Sequence, residues 1–187
     1  MQDVTANTLS TGDKSPGSDR ITVRLLRACW EAIGEHVRCL FQTCLEHGYF
    51  PSAFRVAEVI LLPKLARDLS TAKGWRPISL LSCLGKGLER LVAKRMAWLA
   101  IKHRVVPQQL FGALPGRSAV DLVSCVIHDA EAAMRNNKVT AMVTLDVQGT
   151  FDAVLHNRLL HRMRNQGWTS SLCQWVESFL TPRSIRV

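Results

Sequence analysis

The sequence predicts an α+β domain on three observations. Leu25, Leu26, Cys29, Trp30, Ile33, Val37, Leu40, Phe41, Cys44 and Leu45 recur at the spacing of one helix face. Two short runs, "AEVILLPK" and "VTAMVTLD", are apolar over strand length, the second also β-branched. Helical patterns separate and follow these runs in the order helix, two strands, helix, helix, strand, helices. That order suits an α+β arrangement better than a doubly wound one. At 187 residues and 47% hydrophobic, the chain can bury one core.

Each element has a local cause. Residues 1–19 hold Ser, Thr, Gly, Asp and one Pro with few large apolar residues, the composition of a disordered tail. The helical face begins after Ile21; Gly34 is placed to interrupt it and Gly48 to end it. Pro63 stops the first strand, and a polar Lys/Arg-containing loop follows to Trp75. "RPISLL" starts extended because Pro77 disfavours helix at Arg76. Ser82 is a good N-cap for a long amphipathic helix whose polar face carries Lys86, Arg90, Lys94 and Arg95. "FGALPGRSAVD" is a Gly/Pro loop leading into a helix at Ala119 to Arg135. "VTAMVTLD" reads as a buried strand ending at Asp146, Val154 to Gly167 as a helix, and Thr169 or Ser170 as the cap of a last helix stopped by Pro182.

The formal charge of +9 favours a polyanionic partner. No stretch has the ~18 consecutive apolar residues of a membrane span, and no apolar leader opens the chain. The expectation is an intracellular protein, nuclear or cytoplasmic, with no membrane partner. The six cysteines (Cys29, Cys39, Cys44, Cys83, Cys125 and Cys173) sit mostly in helix-like segments and read as reduced core residues. Cys39, Cys44 and His47 have ligand-like spacing, but no fourth ligand follows, so core packing is the better reading.

The stretch "VTLDVQGTFDAV" delivers Asp146 at the end of an apolar run, and two chemistries use that layout. One is phosphohydrolysis. "DVQGTFD" resembles the D-x-D-G-T nucleophile loop of haloacid dehalogenase-type hydrolases. Gln148 then stands where that family has its proton-transferring aspartate, and glutamine transfers no proton. The other is a polymerase palm, in which carboxylates hold two metal ions for phosphoryl transfer to a 3′ end.

Five ordered stretches decide between them: "FPSAFRVAEVILLPK", "GWRPISLLSCLGKGLERLVAKRM", "FGALPGRSAVD", "VTLDVQGTFD" and "LLHRMRNQGWTSSLCQWVESFL". Together they resemble the first half of the reverse transcriptase domain of a non-LTR (LINE-like) retrotransposon. The resemblance implies a tail over residues 1–19 and, over residues 20–187, the fingers and first palm strand of a right-hand polymerase, incomplete. It implies an RNA-directed DNA polymerase, a nucleotidyltransferase using Mg2+, with RNA template, DNA primer and dNTP as partners. It assigns Lys64 and Arg76 to the triphosphate of the incoming nucleotide, and both residue types suit phosphate. Asp146 becomes the first metal-ligand carboxylate, assisted by the carbonyl of Val147. Phe151 becomes the sugar gate that excludes a 2′-OH. Asp152 belongs to the same motif, and capping of the next helix is its simplest role. Gly112, Gly116 and Arg117 suit either a loop near the template or a plain turn, and the basic helix face suits either RNA phosphates or solvent.

The chain departs from the family's pattern at Thr150, where alanine is usual, and at Gln148, where a basic residue is usual. No Asp-Asp pair occurs in the sequence, and neither the family's paired-aspartate turn nor its thumb is recognised. The expectation is therefore a polymerase portion inactive by itself, with a non-catalytic RNA-binding remnant as the alternative. The last helix is expected to leave part of its apolar face exposed.

Overall fold

The computed structural model describes residues 2–10, 12, 15–112, 114–147, 149–150, 153–181 and 184–186. The architecture is α+β with one small sheet. Helices α1 (Gln2–Leu9) and α2 (Val23–Glu46) lead to strand β1 (Val56–Pro63), strand β2 (Trp75–Leu80) and helix α3 (Cys83–Lys102). Then come α4 (Ala119–Arg135), α5 (His156–Asn165), α6 (Ser170–Leu180) and β3 (Ser184–Arg186). The chain divides into two compact units, Met1–Ala93 with Leu155–Val187, and Lys94–Val154.

In the first unit the sheet order is β2-β1-β3. β1 and β2 are antiparallel, with Leu62 opposite Arg76 and Pro63 opposite Trp75. β3 adds in parallel, with Val56 opposite Ser184. β3 has no counterpart in the sequence reading, because a three-residue run has no measurable periodicity. Thr22 caps α2, its hydroxyl accepting from the Leu25 amide at 3.2 Å. Gly34 lies inside that helix without breaking it. Gly48 ends it at φ +60, with the Tyr49 amide donating back to the Cys44 carbonyl at 2.8 Å. A Cβ at Gly48 would also lie 2.7 Å from the Ser171 carbonyl oxygen, so glycine permits both the turn and the approach of α6.

The core of this unit joins distant parts of the sequence. Phe50 is fully buried, and its ring meets Phe54, Trp175 and Phe179 edge-on at centroid distances of 6.0, 5.5 and 5.3 Å. The Phe50 amide donates to Ser178 Oγ at 2.9 Å, and the Arg55 guanidinium donates to the Phe50 carbonyl at 2.6 Å and to Ser178 Oγ at 2.8 Å. Cys173, Trp175 and Val176 are buried while Leu172, Phe179 and Leu180 are half-buried, so most of the apolar face of α6 is covered, and less of it is left open than the sequence suggested. The covering groups come from the segment around Phe50, more than a hundred residues away, which no local pattern reveals.

Residues 2–9, expected as part of a disordered tail, form α1 instead. Val4, Asn7 and Thr8 are buried. Trp30 Nε1 donates to Thr5 Oγ1 at 3.1 Å, and the Arg27 guanidinium donates to the Leu9 carbonyl at 2.8 Å. Gly87 of α3 receives Thr8 so closely that a Cβ there would lie 2.9 Å from its hydroxyl. The helix is too short to hold by itself in water, and tertiary packing supplies what composition does not.

The cysteines divide evenly. Cys44, Cys83 and Cys173 are buried, and burial pushes the thiols of Cys44 and Cys83 up. Cys29, Cys39 and Cys125 are exposed, against the expectation of core placement. No helix among the described residues is long and apolar enough to cross a membrane.

In the second unit, Ser118 and Asp121 form a capping box at the start of α4. None of the helix's residues is buried; Val120, Val123 and Ile127 are more than half exposed, at 73%, 55% and 53%. Residues 138–147 carry no strand, and Val143 and Leu145 are 82% and 91% exposed. Asp146 therefore lies on an exposed, unpaired segment and not at the end of a central strand. The physical reason is that a strand needs a neighbour for its backbone N–H and C=O groups, and no described strand pairs with this one.

Phe50→Ala should remove the ring that links Phe54, Trp175 and Phe179. A loss of about 3–5 kcal/mol in unfolding free energy is expected, measured by urea denaturation.

Candidate nucleotide-binding site

The candidate site is built where β1 turns into β2. The pairing of Pro63 with Trp75 brings the ends of the two strands together, and the Lys64 amide extends the ladder by donating to the Gly74 carbonyl at 2.8 Å. The nine residues between them, 65–73, are thereby closed into a loop. Asp68 organises its first half: its carboxylate accepts from the Ser70 amide at 2.9 Å and the Ser70 hydroxyl at 2.8 Å. The Ser70 amide holds the Asp68 carboxyl below the usual carboxylate range, with its hydroxyl adding to the effect. The Thr71 hydroxyl donates to the Asp68 carbonyl at 3.2 Å. Trp75 Nε1 reaches across to the Leu69 carbonyl at 2.9 Å. Gly74 is required by crowding, because a Cβ there would lie 2.1 Å from the Asp68 carbonyl oxygen.

The closed loop encloses a cleft of about 680 Å³ whose lining includes Lys64, Arg67, Lys73 and Arg76 against the single carboxylate of Asp68. Lys64 Nζ donates to the Lys73 carbonyl at 2.8 Å, which fixes the direction of that ammonium. Four cations around one concave surface suit a polyphosphate. The two cations singled out from sequence, Lys64 and Arg76, are thus brought together. Arg67 and Lys73 were not singled out. The signal was a Lys/Arg-containing loop between two strands, but which cations face inward depends on the turn at Asp68.

The other predicted positions fare differently. Asp146 and Val147 belong to the second unit and are exposed. The Val147 carbonyl accepts from the Thr150 hydroxyl at 2.6 Å, so the residue that departs from the family pattern engages the carbonyl assigned to metal. Gly149 turns the chain at φ +61, and the Ala153 amide closes the turn on the Gly149 carbonyl at 2.9 Å. Gln148, Phe151 and Asp152 lie outside the described residues. Arg117, expected beside a template, spends its guanidinium on its own loop, donating to the carbonyls of Gln108 at 2.5 Å and Leu110 at 2.8 Å. Arg90 likewise folds back, its Nε donating to the Lys86 carbonyl at 3.0 Å. Lys94 and Arg95 are exposed.

Among the described residues, no group of three His, Cys, Asp or Glu side chains is placed to hold a metal ion. Mg2+ demands near-octahedral oxygen ligation, and one exposed carboxylate with a carbonyl already engaged by Thr150 does not provide it. The described residues do not fit an Mg2+ site.

The sequence pattern of the family described as "Reverse transcriptase (RNA-dependent DNA polymerase)" matches residues 63–187, a span that begins at the mouth of this cleft. The chain belongs to the reverse transcriptase family. It is 35% identical over 166 residues to the "Retrovirus-related Pol polyprotein from type-1 retrotransposable element R1" of Bradysia coprophila, covering 88% of this chain and 15% of that protein. It is 30% identical over 174 residues to the "RNA-directed DNA polymerase from mobile element jockey" of Drosophila melanogaster, covering 93% of this chain and 19% of that protein. A third relative, the "Probable RNA-directed DNA polymerase from transposon BS" of the same species, is 28% identical over 151 residues, or 81% of this chain and 17% of the relative. The chain thus spans less than a fifth of the length of each of these relatives. The family match sets the reverse transcriptase reading of the "VTLDVQGTFD" stretch above the phosphohydrolase one.

Asp68 gives the loop a defined pH response. Its carboxyl is depressed in the folded protein, so its hydrogen bonds stabilise the loop above the unfolded carboxylate pKa of about 3.9 and are lost as pH falls through the lower folded value. The Ser70 amide resonance should titrate below pH ~4, and Asp68→Asn should abolish that titration.

Proposed function

We propose that the chain forms the fingers and the first palm segment of a right-hand RNA-directed DNA polymerase, and that its cationic cleft takes the triphosphate of the incoming deoxynucleotide. The observation that carries this reading is the convergence of Lys64 and Arg76 on one cleft within the family-matched residues. The rigid guanidinium of Arg76 is suited to a bidentate grip on two phosphate oxygens, and the ammonium of Lys64 supplies a point charge held by the Lys73 carbonyl. Arg67 and Lys73 raise the local potential and draw the triphosphate in. Asp146 and Phe151 keep the roles that the resemblance gives them, carboxylate at the reacting centre and gate beside the sugar. RNA template and DNA primer are the corresponding partners, and Mg2+ the corresponding ion.

Two features support a further part of the reading, that this chain by itself does not polymerise. Its described residues assemble no group of three metal-ligating side chains, and Asp146 stands on an exposed segment without a paired strand. Positioning two ions against a triphosphate takes several carboxylates at once.

Nucleotide binding and catalysis should therefore separate. A fluorescent dNTP analogue should bind the wild-type chain, and Lys64→Gln with Arg76→Gln should weaken it about 10- to 100-fold. That range follows from the ~1.5–3 kcal/mol typical of hydrogen bonds to charged groups. Primer extension on an RNA template should be absent. Extension by the wild type that Asp146→Asn abolishes would refute the second half of this reading. Unchanged analogue binding in the double variant would refute the first.

A further inference from the structure

Helix α5 carries charge in a pattern its own stability does not explain. Its apolar side is Leu159, Leu160 and Met163, with Leu160 and Met163 buried. The opposite side presents Arg158, His161, Arg162 and Asn165, all exposed and spaced three or four residues apart. The helix has no acidic residue in its first turn, and Leu155 at its N-cap makes no side-chain cap bond. Arg158 lies in that first turn, where the helix dipole disfavours a cation. Arg164 is paired with Glu177 at 3.5 Å, as Arg38 is with Glu35 and Arg135 with Glu131. Arg158 and Arg162 have no carboxylate partner among the described residues. The surrounding chain does not offset them: from Leu155 to Val187 there are five arginines, no lysine, no aspartate and the single glutamate Glu177.

We propose that this face of α5 is an RNA-binding surface, distinct from the nucleotide cleft, whose ligand is the phosphodiester backbone of an RNA strand. Arg158 and Arg162 lie about 6 Å apart along the helix axis, since four residues rise 1.5 Å each. Each can take one phosphate. A phosphate beside Arg158 also supplies the negative charge that the N-terminal turn of α5 lacks. His161 sits between the two arginines in sequence, and its Nε2 is bridged at 3.0 Å to the Asn165 amide on the following turn. That bridge keeps the polar face in one arrangement. The choice of RNA as the polyanion rests on the polymerase reading above; the charge pattern itself does not.

The test is a salt titration of binding to a labelled single-stranded RNA oligonucleotide by the full chain. Each phosphate contact on a single strand contributes about 0.7 to the slope of log K against log salt. The double variant Arg158→Gln, Arg162→Gln should lower that slope by about 1.4 and weaken binding at low salt by at least tenfold. Arg158→Lys with Arg162→Lys should keep the slope. Arg38→Gln, which removes an arginine already paired with Glu35, should leave it unchanged. An unchanged urea midpoint shows that each variant is folded. A wild-type slope in the double glutamine variant overturns the proposal, as does an equal loss in Arg38→Gln. Loss of binding to phosphatidylserine vesicles with RNA binding intact also overturns it, and identifies a lipid surface instead. Failure of the polymerase reading is seen separately, as absent dNTP-analogue binding with the α5-dependent RNA slope still present.

Discussion

The antiparallel pairing of β1 with β2 is the constraint on which the nucleotide cleft depends. Its register sets Leu62 opposite Arg76 and Pro63 opposite Trp75, and one further backbone bond, Lys64 to Gly74, closes the loop. A slip of one residue would turn Arg76 to the other face of the hairpin and separate it from Lys64. Pro77 is tolerated because β2 is an edge strand, where a missing backbone donor costs no ladder bond. The loop then needs few side-chain anchors. Asp68, Trp75 and the bare Cα of Gly74 are enough to hold four cations around one space.

The hairpin is itself held from below by the aromatic cluster around Phe50. β1 begins directly after the 3-10 turn that carries Phe54 and Arg55. Arg55 and Ser178 tie that turn to α6, and β3, which follows α6, pairs with the first residues of β1. The outer half of β1 is different: Ile60, Leu61 and Leu62 are about half exposed. The strand is thus held by β3 and β2 near its start and by β2 alone at the end that presents the cleft.

The second unit shows what happens to a family motif when its local sequence is right and its partners are not supplied by the described residues. "VTAMVTLD" has strand composition, yet residues 138–147 remain unpaired, and the neighbouring helix α4 buries none of its residues. Helices satisfy their own backbone, so α4 forms with its capping box intact. Strands do not, so the segment bearing Asp146 stays unpaired and exposed. The same contrast explains why every long helix was legible in advance and the third predicted strand was not.

The sequence alone determined the family, through five ordered stretches whose spacing survives without any structure. It also determined the main helices, whose 3.6-residue periodicity is a local property, and the β1 and β2 strands, bounded by Pro63 and by the extended residue before Pro77. Lys64 and Arg76 could be named because they flank those strands. Tertiary structure alone decided the rest. It made a helix of residues 2–9 by giving Thr8 a seat on Gly87, and it covered α6 with Phe50. It turned Arg67 and Lys73 into the cleft, and spent Arg117 on its own loop and Thr150 on the Val147 carbonyl. In each case the deciding partner is set by a turn, a close approach or a contact far along the chain, and hydrophobic period and residue type carry no information about those.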